Sequence, residues 1–242
     1  MLKNTLIRNI AYAAITAAVL SACSSGGGSE AAPSALTPSV PDKPAATNTD
    51  QPAQNNPAKS PAGNQGFAAN KEVAVSGDHK SSVITVDGHQ IAVTHPFIIS
   101  GRFTSINDSK AHTVASGTKF NHIRFGGQID KVNGNTPYVF AVGDVTKDVP
   151  ASGKASYVGD SVVINSNGLT DGAAKFDVDF GAKNITGSAS GVALAGKING
   201  AAFEGTKDGV AMQGNFYGPA AAELSGVFKG DNVQGAFGAK KQ

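Results

Sequence analysis

The most chemically specific side chains in this sequence are five histidines. His79, His89, His95, His112 and His122 lie within 44 residues, and residues 123–242 hold no histidine. Imidazole is the usual axial ligand of haem iron and a common ligand of metal ions. No two of the five have His-x-His or His-x₃-His spacing, so the alternative of ordinary strand and loop histidines stays open.

His112 and His95 are the two best candidates for haem ligands. His112 falls in a polar stretch, from which it can swing onto a ligand, and His95 precedes Pro96 at the predicted start of a strand. Tyr138 and Tyr157 are candidates for accessory contacts, although the pattern favours buried amphipathic strand positions for both. The sequence predicts no metal site and no required cofactor, with haem as the alternative.

No set of residues in the chain is typical of catalysis. The sequence contains no Gly-x-Ser-x-Gly, no phosphate-binding glycine loop and no zinc-binding helix motif. Asp177 and Asp179 resemble a carboxylate pair, but their strand spacing and the nearby Lys175 favour a solvated face. We therefore expect a protein that is not an enzyme.

The first 22 residues have the pattern of an export signal, and Cys23 stands where a lipoprotein carries its modified cysteine. Lys3 and Arg8 precede an apolar stretch at residues 10–20, which is too short to span a bilayer of roughly 30 Å. Cys23 is the sole cysteine, so no intrachain disulfide forms. The sequence predicts a lipid anchor at Cys23 rather than a membrane span.

Residues 23–70 read as a tether. They are rich in Ala, Pro, Ser, Asn, Gln and Gly, and have no aromatic residue before Phe67, so they lack the apolar surface that ordering requires. The net charge of the whole chain is only +2, which argues against nucleic acid as a partner.

From residue 71 the pattern alternates with period two, which predicts an all-β protein. Residues 82–86 and 89–93 flank Asp87-Gly88, a preferred pair for a two-residue hairpin turn. Further strands are predicted at 97–106, 120–129 and 137–142, with a loop at 107–119. We assign residues 71–143 to a small β domain, the handle.

Residues 144–242 contain eight or nine shorter strands at roughly ten-residue spacing, which indicates a sandwich or a barrel. Lys175 to Phe180 alternates so that Phe176, Val178 and Phe180 share one face. Asp171-Gly172, like three other Asn-Gly or Asp-Gly pairs, is predicted to be a turn. Gly-x-Phe recurs at Gly214, Gly226 and Gly235, and we expect each ring to cover its own glycine.

The last third of the chain resembles a known family. Its residues 214–219 read Gly-Asn-Phe-Tyr-Gly-Pro. They are followed by Glu223-Leu224, by Gly226-Val-Phe and by a terminal Gly-Ala-Phe-Gly-Ala-Lys-Lys at 235–241. This run is similar to the C-terminal β-barrel of the transferrin-binding protein B family. The resemblance implies an eight-stranded antiparallel barrel after one handle, in a single lobe, and delivery by a Slam-type outer-membrane translocon. Haemophilin-like and complement-regulator-binding proteins are members of this kind.

The resemblance implies a lipid-anchored protein of the outer membrane, exposed at the cell surface. Its expected partner is a host protein, either a serum complement component or an iron or haem carrier, bound for immune evasion or nutrient capture. Two alternatives remain: a haem-binding protein that uses the handle histidines, and a structural envelope lipoprotein. Transferrin binding itself does not carry over, because transferrin-binding protein B has two lobes.

Overall fold

A computed structural model describes residues 62–242. The predicted export signal, Cys23 and most of the predicted tether lie outside the described residues. Within 62–242 the chain is all-β, with seventeen strands and one short 3-10 turn at Pro219–Ala221. The all-β prediction, with a handle followed by an eight-stranded barrel, is confirmed.

The handle contains nine strands in two sheets. They are β1 Gln65–Ala68, β2 Lys71–Glu72, β3 Val75–Ser76, β4 Val83–Val86, β5 His89–Ala92, β6 Phe103–Asn107, β7 Ala111–Ser116, β8 Ile123–Asp130 and β9 Thr136–Gly143. One sheet has six strands in the order β2-β1-β9-β8-β7-β6, and the other has the order β3-β4-β5. Residues 65–68 are thus a strand of the handle, although the sequence analysis assigned them to the tether.

The predicted hairpin at Asp87-Gly88 is confirmed. It joins β4 to β5, and both turn residues have positive φ, 54° and 77°, as the favoured two-residue hairpin turn requires. Two neighbouring predictions are wrong. Residues 97–100 are not strand, and the predicted loop 107–119 contains β7, which pairs with β6 on one side and β8 on the other.

The C-terminal part closes into an antiparallel barrel. Its eight strands are β10 Lys154–Asn165, β11 Gly168–Asp179, β12 Asn184–Ala189, β13 Val192–Asn199, β14 Ala202–Lys207, β15 Val210–Tyr217, β16 Glu223–Gly230 and β17 Val233–Lys241. The predicted turn at Asp171-Gly172 is wrong, because β10 and β11 form one continuous ladder of twelve residue pairs through it. A long cross-strand ladder satisfies the backbone there without a turn.

Side chains fill the interior of the barrel. Phe176, Val178 and Phe180 are buried on one face of the chain, as predicted. Two of the three recurrent rings cover strand glycines, but each covers the glycine opposite it on the neighbouring strand: Phe228 lies over Gly235 and Phe237 over Gly226. The third, Phe216, lies opposite Leu224, and Gly214 is covered by Phe203, which is outside the repeat. The prediction that each ring covers its own glycine is wrong, because cross-strand neighbours lie closer than residues two positions along the strand.

The handle packs sideways against the outside of the barrel. One face of its six-stranded sheet shares a core with β10, β11, β16 and β17, and the other face is covered by the three-stranded sheet. The buried carboxylate of Glu223 accepts the backbone N–H groups of Asn121 and His122 at 3.0 and 2.9 Å. The described residues include no helix of sufficient length and apolarity to cross a membrane.

Candidate functional site

The segment between β5 and β6 presents three consecutive large apolar side chains to solvent. Phe97 is fully exposed, Ile99 is 91% exposed and Ile98 is partly exposed. Within residues 62–242, the other exposed large apolar residues lie singly in separate parts of the chain: Val83, Val132 and Val158. Single exposed apolar residues are ordinary, whereas a contiguous group marks an interaction site. We call residues 95–99 the apolar tip.

A tight turn shapes the apolar tip. The Ile98 N–H donates to the carbonyl of His95 at 3.1 Å, and Phe97 adopts a φ of 69°. This left-handed conformation is unfavourable for a bulky residue, and such strain is concentrated at functional sites. The conformation holds the Phe97 ring out in solvent instead of letting it fold back on the handle.

Hydrogen bonds to the residues after β7 fix the C-terminal base of this loop. The N–H groups of Gly117, Thr118 and Lys119 donate to the carbonyls of Arg102, Ser100 and Gly101 at 2.8 to 2.9 Å. Gly117 is required there, since a Cβ atom would lie 2.0 Å from the Ser100 carbonyl oxygen. The approach of the two backbones therefore depends on the absence of a side chain.

Arg102 then attaches the loop base to the barrel. Its Nε donates to buried Asp160 at 2.9 Å, and its Nη1 lies 2.7 Å from Asp171. Lys119 binds the second oxygen of Asp160 at 2.6 Å. The hydrogen bond to Asp160 is the main reason that the pKa of Arg102 is raised. Two handle cations thus share one buried barrel carboxylate.

The N-terminal base of the loop is held by Arg124 of β8. Its Nη1 donates to the Val93 carbonyl at 3.4 Å and its Nε to the His79 carbonyl at 3.1 Å. Burial lowers the pKa of this guanidinium. With both bases fixed, the apolar tip is displayed on a stiff scaffold, and its binding loses little conformational entropy.

The structure separates the two candidate haem ligands. His95 lies in the apolar tip, whereas His112 pairs across from Asn107, at the far end of β6 from the tip. The Nδ1 atom of His95 is 2.8 Å from the Pro96 carbonyl; as a donor to it, this nitrogen carries the proton and Nε2 keeps its lone pair. Burial, followed by the charge of Lys131, lowers the pKa of His112.

The other three histidines contact residues outside the apolar tip. His79 is buried, with its Nε2 3.5 Å from Asp144, and the His122 ring packs against Gly218. His89 stacks on Tyr138 with ring centroids 4.5 Å apart and hydrogen-bonds Gln128 at 2.5 Å. Across residues 62–242, no three His, Cys, Asp or Glu side chains are grouped to hold a metal ion.

The two candidate accessory tyrosines do not join either histidine candidate. Tyr138 stacks on His89, and Tyr157 is buried in the barrel, where its hydroxyl donates to the Ala221 carbonyl at 2.6 Å. Sequence reasoning missed the apolar tip because Phe97-Ile98-Ile99 reads as the start of a strand. Its signal is that three consecutive apolar residues after Pro96 break the period-two alternation.

The barrel matches a known family. Residues 149–241 match the family described as the C-lobe and N-lobe beta barrels of Tf-binding protein B, and they coincide with the closed barrel described above. The barrel domain is similar to this family. The handle lies before the matched residues, so the apolar tip is outside the part of the chain that the family description covers.

Two further comparisons cover more of the chain. An uncharacterized protein of Haemophilus influenzae strain Rd is 29% identical over 209 residues, which is 74% of this chain and 72% of that protein. A transferrin-binding protein B variant from Haemophilus parasuis Hp5 is 25% identical with a TM-score of 0.56, covering 74% of this chain. This chain spans only 44% of the length of that transferrin-binding protein B.

A second type of solved structure shares the fold. The haemoglobin receptor HpuA from Kingella denitrificans is 12% identical, with a TM-score of 0.56, and the match covers 74% of this chain and 86% of HpuA. The match therefore includes most of the HpuA chain and about three quarters of this chain. At 12% identity, the likeness between this chain and HpuA is one of fold.

Proposed function

We propose that this chain is a lipoprotein of the bacterial cell surface that binds a host protein through the apolar tip. The observation that carries the proposal is the exposure of Phe97 and Ile99 on a loop whose two bases are fixed by Arg102 and Arg124. Aromatic and aliphatic anchors on rigid loops are typical of binding hot spots. The packed interior of the barrel makes it a support for the loop.

An iron or haem carrier is the host partner that the relatives favour. Transferrin-binding protein B and the haemoglobin receptor HpuA are named for such carriers, and both share this fold. A complement component is the alternative partner. The proposal makes the protein a binding protein and not an enzyme, in keeping with the roles for which those relatives are named.

Binding to bacteria that display the full chain tests this function. Cells producing the parent are incubated with labelled transferrin, haemoglobin and whole serum. Replacing Phe97 and Ile99 together by serine should weaken binding about 30-fold or more, as expected for loss of a hot spot. Val158→Ser is the matched control, since Val158 is exposed but lies on β10 of the barrel. Equal binding by the parent and the double variant would contradict the proposal.

The anchor and the surface location are part of the same proposal. The sequence around Cys23 supports lipidation, and transport to the surface would use the lipoprotein export machinery and a Slam-type translocon. Radiolabelled palmitate should label the parent but not Cys23→Ala. Protease added to intact cells should cleave the parent, whereas the alternative of a periplasmic structural lipoprotein predicts protection.

Haem binding through His95 is the second candidate function. The hydrogen bond between His95 Nδ1 and the Pro96 carbonyl leaves Nε2 free beside exposed apolar side chains. An imidazole with apolar neighbours is a suitable axial ligand for haem iron. A visible absorption titration with haemin should then give a Soret band that His95→Ala weakens. His112→Ala is the control, since His112 lies at the far end of β6. A flat titration of the parent would eliminate this function.

A further inference from the structure

The strand β6 is one edge of the six-stranded sheet, and half of its backbone groups point away from that sheet. The Arg102 carbonyl accepts from Gly117, and the Asp108 N–H donates to Ala111, so even-numbered residues of β6 bond to β7. In an antiparallel pair the intervening residues turn their N–H and C=O groups outward. Among residues 62–242, no strand pairs with this outer side, at Phe103, Ser105 and Asn107.

This edge lacks the features that normally protect one. Phe103–Asn107 has no charged residue and no proline, and it pairs with β7 without a bulge. The opposite edge of the same sheet, β2, has two residues and both are charged. The contrast within one sheet indicates that the edge at β6 is kept available for pairing.

The edge is also continuous with the apolar tip. Residues 100–102 connect the tip to β6 and remain hydrogen-bonded to residues 117–119 along the side of β7. At the other end of β6, the turn of the β6–β7 hairpin carries Asp108 and Lys110, and Lys131 lies against Asn107 at 2.6 Å. The free edge thus runs from an apolar end to an end with a net positive charge.

These ends exclude a second copy as the natural occupant. Two β6 strands paired antiparallel across a two-fold axis would set the apolar tip of one copy beside Asp108 and Lys110 of the other, leaving Phe97 against charged groups. The chain's own residues 24–61 fit no better. They contain seven prolines, which cannot donate to a ladder, and their only large apolar residues are Leu36 and Val40.

We infer that the host partner adds an extended strand to the outer edge of β6, with an apolar residue beside the tip and an acidic residue beside Lys110 and Lys131. The inference rests on the proposed function and names its mode of recognition. The backbone groups of Phe103, Ser105 and Asn107 supply the ladder, and the two ends of the edge supply specificity.

A proline at Ser105 tests the inference on cells that display the full chain, with labelled haemoglobin and transferrin as probes. The Ser105 N–H points outward, so Ser105→Pro removes a donor of the free edge and no bond to β7. We expect binding to weaken about 30-fold or more, as for loss of a central contact. Ser105→Ala keeps the N–H and should bind within threefold of the parent.

Gln90→Pro is the control for a proline on an exposed edge strand. Gln90 lies on the outer side of β5, the edge of the three-stranded sheet, and its replacement should leave binding within threefold. If thermal unfolding shows that Ser105→Pro is poorly folded, Asn107→Pro is the second test variant, because it removes the next outward N–H. Amide hydrogen exchange of the parent supplies a measurement that needs no mutation. Bound carrier should slow the exchange of the Phe103, Ser105 and Asn107 amides about tenfold or more, as expected for buried ladder bonds.

The outcomes separate the inference from the proposed function. If the Phe97 and Ile99 double variant loses binding but Ser105→Pro binds as the parent does, strand addition is overturned and the proposed function stands. If both bind as the parent does, or if the parent binds neither a carrier nor any other serum protein, both fail. Loss of binding only in Gln90→Pro, or a parent dimer that Ser105→Pro dissociates, also overturns strand addition at β6.

Discussion

The barrel encloses its large rings, whereas the handle leaves one ring in solvent. Phe176, Phe203, Phe216, Phe228 and Phe237 are fully buried inside the closed sheet, and Phe97 is fully exposed in the apolar tip. The barrel also pairs every strand on both sides, while the handle ends in the unpaired edge of β6. Under the proposed function, the barrel is the closed support and the handle is the part that binds.

The largest expected effect follows from removing a barrel ring. Phe237→Ala should lower the free energy of unfolding by about 3–5 kcal/mol, because it leaves a cavity against Phe176 and Gly226. Phe97→Ala should change it by less than about 0.5 kcal/mol. Urea unfolding of the two variants measures the contrast. Similar losses would show that the apolar tip contributes to the folded core.

The next largest effect is expected from replacing a glycine by alanine, which should cost more stability in the barrel than in the handle loop. A Cβ atom at Gly214 would lie 2.1 Å from the Phe203 ring, whereas a Cβ at Gly101 in the loop meets nothing within 4 Å. Gly214→Ala should therefore cost about 1–3 kcal/mol of stability through overpacking, and Gly101→Ala less than about 0.5 kcal/mol. Thermal unfolding compares them. A harmless Gly214→Ala would mean that Phe203 has an alternative position.

The attachment of the handle loop to the barrel through Arg102 is expected to contribute less to the free energy of unfolding. Arg102→Ala should cost about 1 kcal/mol, since Arg102 is 52% exposed and Lys119 remains on Asp160. It should also speed amide exchange at residues 117–119, because the loop base is released from the barrel. Lys154→Ala removes an exposed ion pair to Asp179 and is the control, with no measurable change expected. Unaltered exchange in Arg102→Ala would argue against a fixed loop.

The smallest expected effect is a pH dependence in the handle. The pKa of His112 is lowered in the folded protein, so the unfolded chain binds the proton first as the pH falls. Stability should therefore decrease as the pH falls through the unfolded value, near 6.5. His112→Asn removes this contribution, so the variant should lose less stability than the parent between pH 7.5 and 5. Parallel unfolding curves against pH would refute the assignment.

The regular parts of the fold were predictable from sequence because their residues alternate and their turns carry Asp-Gly or Asn-Gly. Val210–Tyr217 and the β4–β5 hairpin are examples. Asp171-Gly172 is an exception, since the same dipeptide fits a strand where the ladder with β10 runs through it. The strand β7 was missed because its Ala, Thr and Ser residues are small and polar, and it gains burial only from tertiary packing.

The candidate site was predicted only in part. His95 was selected for its imidazole, and it does lie in the apolar tip, although its haem role remains a prediction. Phe97 was assigned to a strand, because nothing local shows that its neighbours would leave it exposed. The sequence does not predict that β6 is an edge strand, since strand order depends on which distant segments pair. The strand β9, for example, pairs with β1 across some seventy residues of sequence.

Closure of the barrel has a consequence for the order in which the chain folds. The last strand, β17, pairs with β16 and also with β10, so Tyr157 meets Lys241 across the whole length of the domain. Contacts this distant in sequence form slowly, because a long loop must be ordered before they are made. A chain that folds from its N-terminus onward would hold an open sheet until the nine residues of β17 are available. Removal of those residues would therefore trap the domain before completion rather than merely shorten it.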